Sequence, residues 1–214
     1  MKTRIFNLLI LDESGSMYSI EKQAVDSVNE TLQSVRAAQE KYEDQEHFVS
    51  FVTFNSSGIK TVLDRVEARK AEDITPAQFN PACCTPLYDA IGKSVTELKK
   101  SVAENDKVLV TIVTDGYENS STEYDASSVK ALTEKLGKQG WTFAYIGANQ
   151  DAEAVSKSIG IKNSLNFEAS VCGTAVMSER MCKSRSRWFN RIANNEDNID
   201  ECFFDEYCCP VKLK

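Results

Sequence analysis

Two kinds of apolar pattern alternate along most of this chain. Short apolar runs with the length of buried strands lie at residues 5–11, 47–55, 108–114, 141–147 and 163–167. Between them, apolar residues recur at helical spacing over residues 19–41, 87–102, 129–136 and 151–159. Strands that alternate with helices of this length predict βαβ units. We therefore expect a doubly wound α/β fold, with a mostly parallel central sheet and helices on both faces.

One hairpin interrupts the alternation. Ser56-Ser57-Gly58 separates the strand at 47–55 from a further run at Ile59–Val66. A turn this short joins antiparallel neighbours. We expect one antiparallel strand at an edge of the sheet.

The chain changes character beyond Ala169. Apolar residues there predict a closing helix at about 173–192, with a basic opposite face made of Arg180, Lys183, Arg185, Arg187 and Arg191. We interpret this face as solvated, and a partner-docking helix is the alternative. The predicted domain is 1–192, and residues 193–214, with Cys202, Phe203, Phe204 and Tyr207 among acidic residues, are expected to form a peripheral extension.

Composition excludes several classes of protein. The net charge of −7 argues against non-specific binding of nucleic acid, which needs a basic surface. No stretch approaches the length of a transmembrane helix, and the run Ile5–Leu11 is too short, and too close to Asp12, for a signal peptide. Seven cysteines form no regular disulfide framework. We predict a cytoplasmic protein that binds neither membrane nor nucleic acid.

Polar loops at the ends of predicted strands carry the candidate chemistry. Asp12, Ser14 and Ser16 alternate along the loop after the first strand, so their oxygens can converge. Thr85 precedes a helix that begins at a proline, and Asp115 follows another buried strand. Hard oxygen ligands suit Mg²⁺, Mn²⁺ or Ca²⁺. Capping of the next helix is the alternative for the first loop alone.

Together, the three segments resemble the metal-ion-dependent adhesion site (MIDAS) of a von Willebrand factor A (vWA) domain. The resemblance spans residues 3–168 and rests on the motifs D-x-S-x-S, T-P-L-Y-D and T-D-G. It implies that the hydroxyls of Ser14, Ser16 and Thr85 and the carboxylates of Asp12 and Asp115 bind Mg²⁺ or Mn²⁺, with Ca²⁺ possible. Ala82-Cys83-Cys84 departs from the glycine-rich turn of many relatives.

The resemblance also implies a function and a type of protein. A Glu or Asp of a partner protein would complete the shell of the metal, as in an adhesion or adaptor module of the stand-alone, intracellular bacterial type. The rim around the metal would encode partner choice. The residues expected there are Glu13, Tyr88, Tyr117, Glu118 and Asn119. Loop solvation and helix capping are the alternative roles for these five residues.

Enzyme chemistry is the main alternative. A metal-dependent hydrolase of phosphoesters is compatible with the ligands, but the sequence has no phosphate loop, nucleophile elbow or H-E-x-x-H motif. A structural module with a vestigial site is a third possibility. We interpret His47 as a surface or edge residue rather than a general base, and Cys83 and Cys84 as small buried residues rather than nucleophiles or redox sensors. A zinc site at Cys202, Cys208 and Cys209 is disfavoured, since no C-x-x-C spacing supports it.

Overall fold

A computed structural model describes residues 2–204. Within this range, one sheet of six strands is flanked by helices on both faces. The strands are β1 (Thr3–Asp12), β2 (Gln45–Asn55), β3 (Gly58–Glu67), β4 (Lys107–Thr114), β5 (Trp141–Ala148) and β6 (Asn163–Phe167). The helices are α1 (Glu21–Lys41), α2 (Leu87–Lys99), α3 (Ala126–Gly137), α4 (Ala152–Ser158) and α5 (Val171–Ala193).

The strand order is β3-β2-β1-β4-β5-β6, and every pair is parallel except β2 with β3. The predicted mostly parallel sheet with one antiparallel edge strand is therefore confirmed. From β1 the chain first adds strands on one side and later continues with β4 on the other side. The carboxyl ends of β1 and β4 flank this switch point, where doubly wound sheets bind their ligands.

Alternate residues of β1 face two separate hydrophobic cores. Ile5, Leu9 and Leu11 pack under α1 and α5, and the intervening Phe6, Leu8 and Ile10 pack under α2 and α3. A central strand covered on both faces is apolar at nearly every position, and the one buried polar residue within this run, Asn7, donates to the carbonyl of Phe48. The carboxyl end of β1, where Asp12 lies, is thus part of a strand that is packed on both faces.

The predicted helix boundaries shift at two places. Residues Gly15–Ile20 form a 3₁₀ helix, so α1 begins at Glu21 rather than near Ser19. Helix α2 ends at Lys99, and hydrogen-bonded turns at Ser101 and Val102 follow it. Apolar spacing does not distinguish such turns from the helix itself.

Two predictions of exposure are wrong. His47 is fully buried on the second strand of the sheet, where Nε2 faces Gln45 Oε1 at 3.0 Å and the ring makes an edge contact with Phe189. Arg185 is also buried, and its guanidinium donates to the hydroxyls of Thr31 and Ser34 instead of facing solvent. Polar groups inside a core need such partners, and a single sequence does not reveal them.

The segment after α5 is also more deeply packed than expected. Ile199, Phe203 and Phe204 are buried in the core that contains α1 and α5. Their part of the predicted extension is thus packed on the domain and is not peripheral. Tyr207, Cys208 and Cys209 lie outside the described residues. None of the helices between residues 2 and 204 combines the length and hydropathy of a membrane span.

Candidate metal centre

Three loops meet at the carboxyl end of the sheet. Asp12 is the last residue of β1, and Asp115 directly follows β4. Because β1 and β4 are parallel neighbours, both carboxylates emerge at the same edge. Thr85 lies two residues before α2, on the long connection that returns from β3. Two of the predicted loops thus follow strands of the sheet, and the third precedes α2.

Gly116 marks the point where these loops converge. A Cβ atom placed on Gly116 would lie 3.0 Å from Thr85 Oγ1 and 3.7 Å from both Asp12 Oδ2 and Ser16 Oγ. Oxygens from the first loop and from the Thr85 loop therefore converge on one small space beside the third loop. A side chain at this position would enter that space, which explains why Asp115 is followed by glycine.

Hydrogen bonds connect the same side chains. Ser16 Oγ donates to Asp115 Oδ1 at 2.5 Å and lies 3.2 Å from Ser14 Oγ. The amide of Ser14 donates to Asp12 Oδ1 at 2.7 Å. The structure thus brings all five predicted ligand residues together, with Thr85 joined to the others across the space at Gly116.

The charges of the two carboxylates are poorly compensated by the protein. Burial raises the pKa of Asp12 to about 6, hydrogen bonds from Thr114 and Ser14 oppose this change, and the nearby charge of Asp115 adds to it. Burial also raises the pKa of Asp115, against the hydrogen bond from Ser16. Two acidic groups that each resist ionisation favour a site for a cation, which would relieve both penalties.

Thr114 is a site residue that sequence reasoning missed. Its hydroxyl donates to Asp12 Oδ2 at 2.6 Å and accepts a hydrogen bond from the amide of Gly116 at 3.1 Å. One oxygen of Asp12 is thereby fixed by Thr114, and the other is fixed by Ser14. The available signal was a hydroxyl residue as the last member of a mostly apolar strand, directly before Asp115.

The loop that carries Thr85 is anchored from two directions. Asn119 Oδ1 accepts from the amide of Thr85 at 2.8 Å, and the amide of Asn119 donates to the carbonyl of Thr85 at 3.2 Å. The buried carboxylate of Glu13 accepts from the amide of Asn80, while its carbonyl accepts from Ala82. The exposed Asn119 and the buried Glu13 therefore position the Thr85 loop from opposite sides of the surface.

Two further carboxylates organise the loop between β4 and α3. Glu118 accepts hydrogen bonds from the amides of Tyr88, Ser120 and Ser121. Asp89 accepts from the three consecutive amides that follow Ser121. Burial alone would raise the pKa of Asp89, but these hydrogen bonds lower it below its ordinary value. Both carboxylates tie this loop to the start of α2.

The solvent-facing rim is mainly aromatic. Tyr117 is 61% exposed, and Tyr18, two residues after Ser16, is 73% exposed. Tyr88 is half-buried, and burial raises the pKa of its phenol. Of the five predicted rim residues, Tyr117 and Asn119 are thus exposed, whereas the carboxylates of Glu13 and Glu118 accept hydrogen bonds from backbone amides of the protein. Tyr18 was missed, although it follows the first motif directly.

Cys83 and Cys84 are exposed, so the interpretation of both as small buried residues is wrong. Cys83 has a φ of 66°, in the left-handed region that a residue with a side chain seldom adopts. The departure from a glycine-rich turn is therefore accommodated by backbone strain at this cysteine.

The donor set fits a hard divalent cation. Two hydroxyls and one carboxylate converge at Gly116, and hydrogen bonds connect the Ser14 hydroxyl and the Asp115 carboxylate to them; such oxygen ligands suit Mg²⁺, Mn²⁺ or Ca²⁺. No cluster of three or more His, Cys, Asp or Glu side chains suited to a metal ion occurs among residues 2–204. The residues of the three loops are thus the candidate metal centre of this part of the chain.

No protein-family model and no curated protein matches the sequence. Solved structures do match. The von Willebrand factor domain of the type V pili tip protein Mfa5 from Porphyromonas gingivalis has a TM-score of 0.64 at 8% identity, over 87% of this chain and 96% of that one. The pilus adhesin SpaC from Lactobacillus rhamnosus GG has a TM-score of 0.61 at 14% identity, over 86% of this chain.

The chain has a vWA fold.

A third solved structure contains a metal at a MIDAS motif of its own. Proximal thread matrix protein 1 from the mussel byssus, with a zinc-occupied MIDAS motif, has a TM-score of 0.57 at 17% identity, over 83% of this chain. The chain spans 47% of that protein and 30% of SpaC. At these identities the likeness establishes the vWA fold alone.

Proposed function

We propose that this vWA domain is a divalent-metal-dependent protein-binding module. The observation that carries the proposal is the convergence of Ser16, Thr85 and Asp12 oxygens on the space at Gly116, beside a second carboxylate from Asp115. The ligands proposed for Mg²⁺ or Mn²⁺ are Asp12, Ser14, Ser16, Thr85 and Asp115. The zinc-occupied motif in the mussel byssus protein supports a divalent ion at a site of this kind.

The ligand set explains how metal and partner would act together. Neutral hydroxyls outnumber carboxylates, so a bound divalent ion keeps part of its positive charge and attracts a further anionic oxygen. A Glu or Asp of a partner protein is the proposed source of that oxygen. Thr114 and Ser14 hold the carboxylate of Asp12, while Asn119 holds the loop of Thr85.

The surface around the proposed metal offers contacts for a partner protein. Tyr117 and Tyr18 are large, exposed aromatic side chains beside the ligands, and aromatic residues are enriched at protein–protein interfaces. We propose that these two tyrosines contact the partner. Glu13, Glu118 and Asn119 instead act indirectly, through the loops that they hold.

The hydrolase alternative lacks a supporting observation. His47 pairs with Ile5, seven residues from the metal-side end of β1, which places it roughly 23 Å from the site at about 3.3 Å per residue. It cannot serve the metal centre as a general base.

The cytoplasmic location and the stand-alone bacterial type remain proposals from the sequence, because the structural neighbours include pilus proteins.

Metal binding is tested first by titrating Mn²⁺ and Mg²⁺ into the protein in a calorimeter. Wild type should bind one ion, and Ser14→Ala should bind it at least about tenfold more weakly, because a ligand is lost. Ser127→Ala, an exposed serine on α3, serves as the matched control and should bind as wild type does. Equal affinity of all three proteins would contradict the assigned site.

Partner binding is tested by affinity capture from a lysate of the source cells. Wild type is compared in Mg²⁺ and in EDTA, and Ser14→Ala is compared in Mg²⁺. A protein captured by wild type in Mg²⁺ alone would support the metal-mediated contact. The same proteins in all three samples would instead favour a vestigial site, and hydrolysis of generic phosphoesters that Asp12→Ala abolishes would favour the enzyme.

A further inference from the structure

Two adjacent cysteines lie on the loop that carries Thr85. Cys83 and Cys84 are both exposed, and Cys83 Sγ lies 3.7 Å from Ser57 Oγ at the turn between β2 and β3. Both thiols are thus open to a soluble reagent. They directly precede a residue that we assign to the metal centre.

The backbone of this cysteine pair joins three parts of the site. The carbonyl of Cys83 accepts from the amide of Gly15, at 3.1 Å, in the loop between β1 and α1 that carries Ser14 and Ser16 and is called the first metal loop below. The amide of Cys84 donates to Ser56 Oγ at 3.2 Å, and its carbonyl accepts from the amide of Ser56 at 3.1 Å. A rotation of the peptide between the two cysteines would therefore disturb the first metal loop and Thr85 together.

A disulfide between these cysteines requires such a rotation. Both cysteines are free, so closing the ring has to bring their sulfur atoms to about 2.05 Å from each other. The Cα–Cα distance across a trans peptide is fixed at about 3.8 Å, so this approach changes the torsion angles on either side of the peptide. Disulfides ordinarily join Cα atoms at least about 4.4 Å apart, so the bond would also be strained. The backbone at Cys83 already has a strained, left-handed conformation. Closing the small ring would thus turn the Cys83 carbonyl away from Gly15, and Thr85 would move with it.

We propose that Cys83 and Cys84 form a redox modification site that controls metal binding. A low-molecular-weight disulfide is the proposed oxidant. One cysteine thiolate attacks it, forms a mixed disulfide and releases one thiol; the second thiolate then attacks the mixed disulfide and releases the second thiol. The protein loses two electrons and two protons, and the oxidant is reduced to two thiols. A strained disulfide is reduced easily, so the modification is reversible.

The modification itself rests on exposure and adjacency, whereas its effect on metal binding rests on the proposed function. The full chain is treated with glutathione disulfide, and the peptide that contains both cysteines is mapped by mass spectrometry. We expect an internal disulfide with two hydrogens fewer and no attached glutathione. The Mn²⁺ dissociation constant should rise about tenfold or more, and dithiothreitol should restore it.

Two variants isolate the pair from the other cysteines of the chain. The double variant Cys83→Ser/Cys84→Ser should bind Mn²⁺ equally well before and after treatment. Cys172→Ser removes an exposed cysteine on α5 and should respond as wild type does. A glutathione adduct without the internal disulfide overturns the proposal. An internal disulfide that leaves the affinity for Mn²⁺ unchanged also overturns it.

A second measurement separates this inference from the proposed function. Hydrogen exchange of the Gly15 amide reports its bond to the Cys83 carbonyl without any metal. Oxidation should accelerate this exchange in wild type and leave it unchanged in the double variant. If the reduced protein bound no Mn²⁺, the proposed function would fail, and the Gly15 amide would still decide whether the disulfide moves the loop.

Discussion

At the scale of single residues, the candidate site depends on Thr114, which is not itself a proposed ligand but holds one. Both oxygens of Asp12 are engaged, one by the Ser14 amide and the other by the Thr114 hydroxyl. A buried carboxylate held in this way is pre-oriented, so a cation would meet it without a further loss of side-chain entropy. Thr114 is accordingly as informative about the site as the predicted ligands.

Thr114→Val removes this hydroxyl and keeps the shape of the side chain. Asp12 Oδ2 then loses its buried donor, so we expect a loss of about 1–3 kcal/mol in the free energy of unfolding and about tenfold weaker Mn²⁺ binding. Calorimetric titration and urea unfolding measure the two effects. Thr111→Val, three residues earlier on β4, should leave Mn²⁺ binding unchanged. Equal weakening by both variants would show that the effect comes from the strand and not from Asp12.

His47 should make the stability of the fold depend on pH. Burial lowers its pKa from 6.5 to about 4, so the folded protein binds fewer protons than the unfolded chain between these values. Stability from the neutral imidazole is complete above pH 6.5 and is lost as the pH falls toward 4. The full difference is about 3 kcal/mol at about 1.4 kcal/mol per pH unit.

His47→Gln removes this titration and retains a donor toward Gln45. From pH 7 to pH 4, the free energy of unfolding of wild type should fall by about 3 kcal/mol relative to that of the variant. Urea unfolding at several pH values measures it. Asp12 titrates in both proteins and so cancels from the comparison. A difference that is constant with pH would contradict the neutral, buried state of His47.

At the scale of elements, the loop between β4 and α3 acts as a clamp on the start of α2. The Asp89 carboxylate, on the helix, accepts hydrogen bonds from three consecutive amides of the loop. The Glu118 carboxylate, on the loop, accepts a hydrogen bond from the amide of Tyr88 on the helix. Within the same loop, Asn119 holds Thr85. The position of the Thr85 hydroxyl is therefore set by the loop and the helix together.

Asp89→Ala should release this clamp. The amides of Thr122, Glu123 and Tyr124 would lose their acceptor, which we expect to cost about 2–4 kcal/mol in the free energy of unfolding. Faster hydrogen exchange of these amides would locate the change. Glu123→Ala is the control, because its exposed ion pair with Lys93 contributes at most about 1 kcal/mol. Equal costs for the two variants would argue against the clamp.

The sequence predicted these elements far better than their connections. The central strands were visible because buried strands are short apolar runs, and the exposed edge strand β3 was visible through the hairpin at Ser56-Ser57-Gly58. The ligand residues were visible because they form short local motifs. In contrast, Asn119 and Thr85 are 34 residues apart, and nothing local to either residue indicates that the amide of Thr85 donates to the side chain of Asn119. Such contacts exist only once the fold has formed.

At the scale of the whole molecule, the described chain is one packed unit that includes part of the predicted extension. The side-chain amide of Asn163 on β6 donates to the backbone carbonyls of Phe143 and Asp200, and its Oδ1 accepts from the backbone amide of Phe203. This amide side chain therefore connects two strands to the segment after α5. The predicted boundary at residue 192 is the end of the closing helix, and the end of a helix does not report whether a later segment returns to the core.

Phe203→Ala tests whether that segment belongs to the domain. Phe203 is 3% exposed and its ring centroid lies 5.0 Å from that of Phe204, so its removal should lower the free energy of unfolding by about 3–5 kcal/mol. Urea unfolding measures the loss. Val176→Ala, on the exposed side of α5, should change it by no more than about 0.5 kcal/mol. If Phe203→Ala were equally mild, residues 199–204 would contribute nothing to the core, and the domain would end with α5. A large loss would instead mean that the sheet, α5 and this segment unfold together, so that the segment helps to hold the helix that covers one face of the sheet.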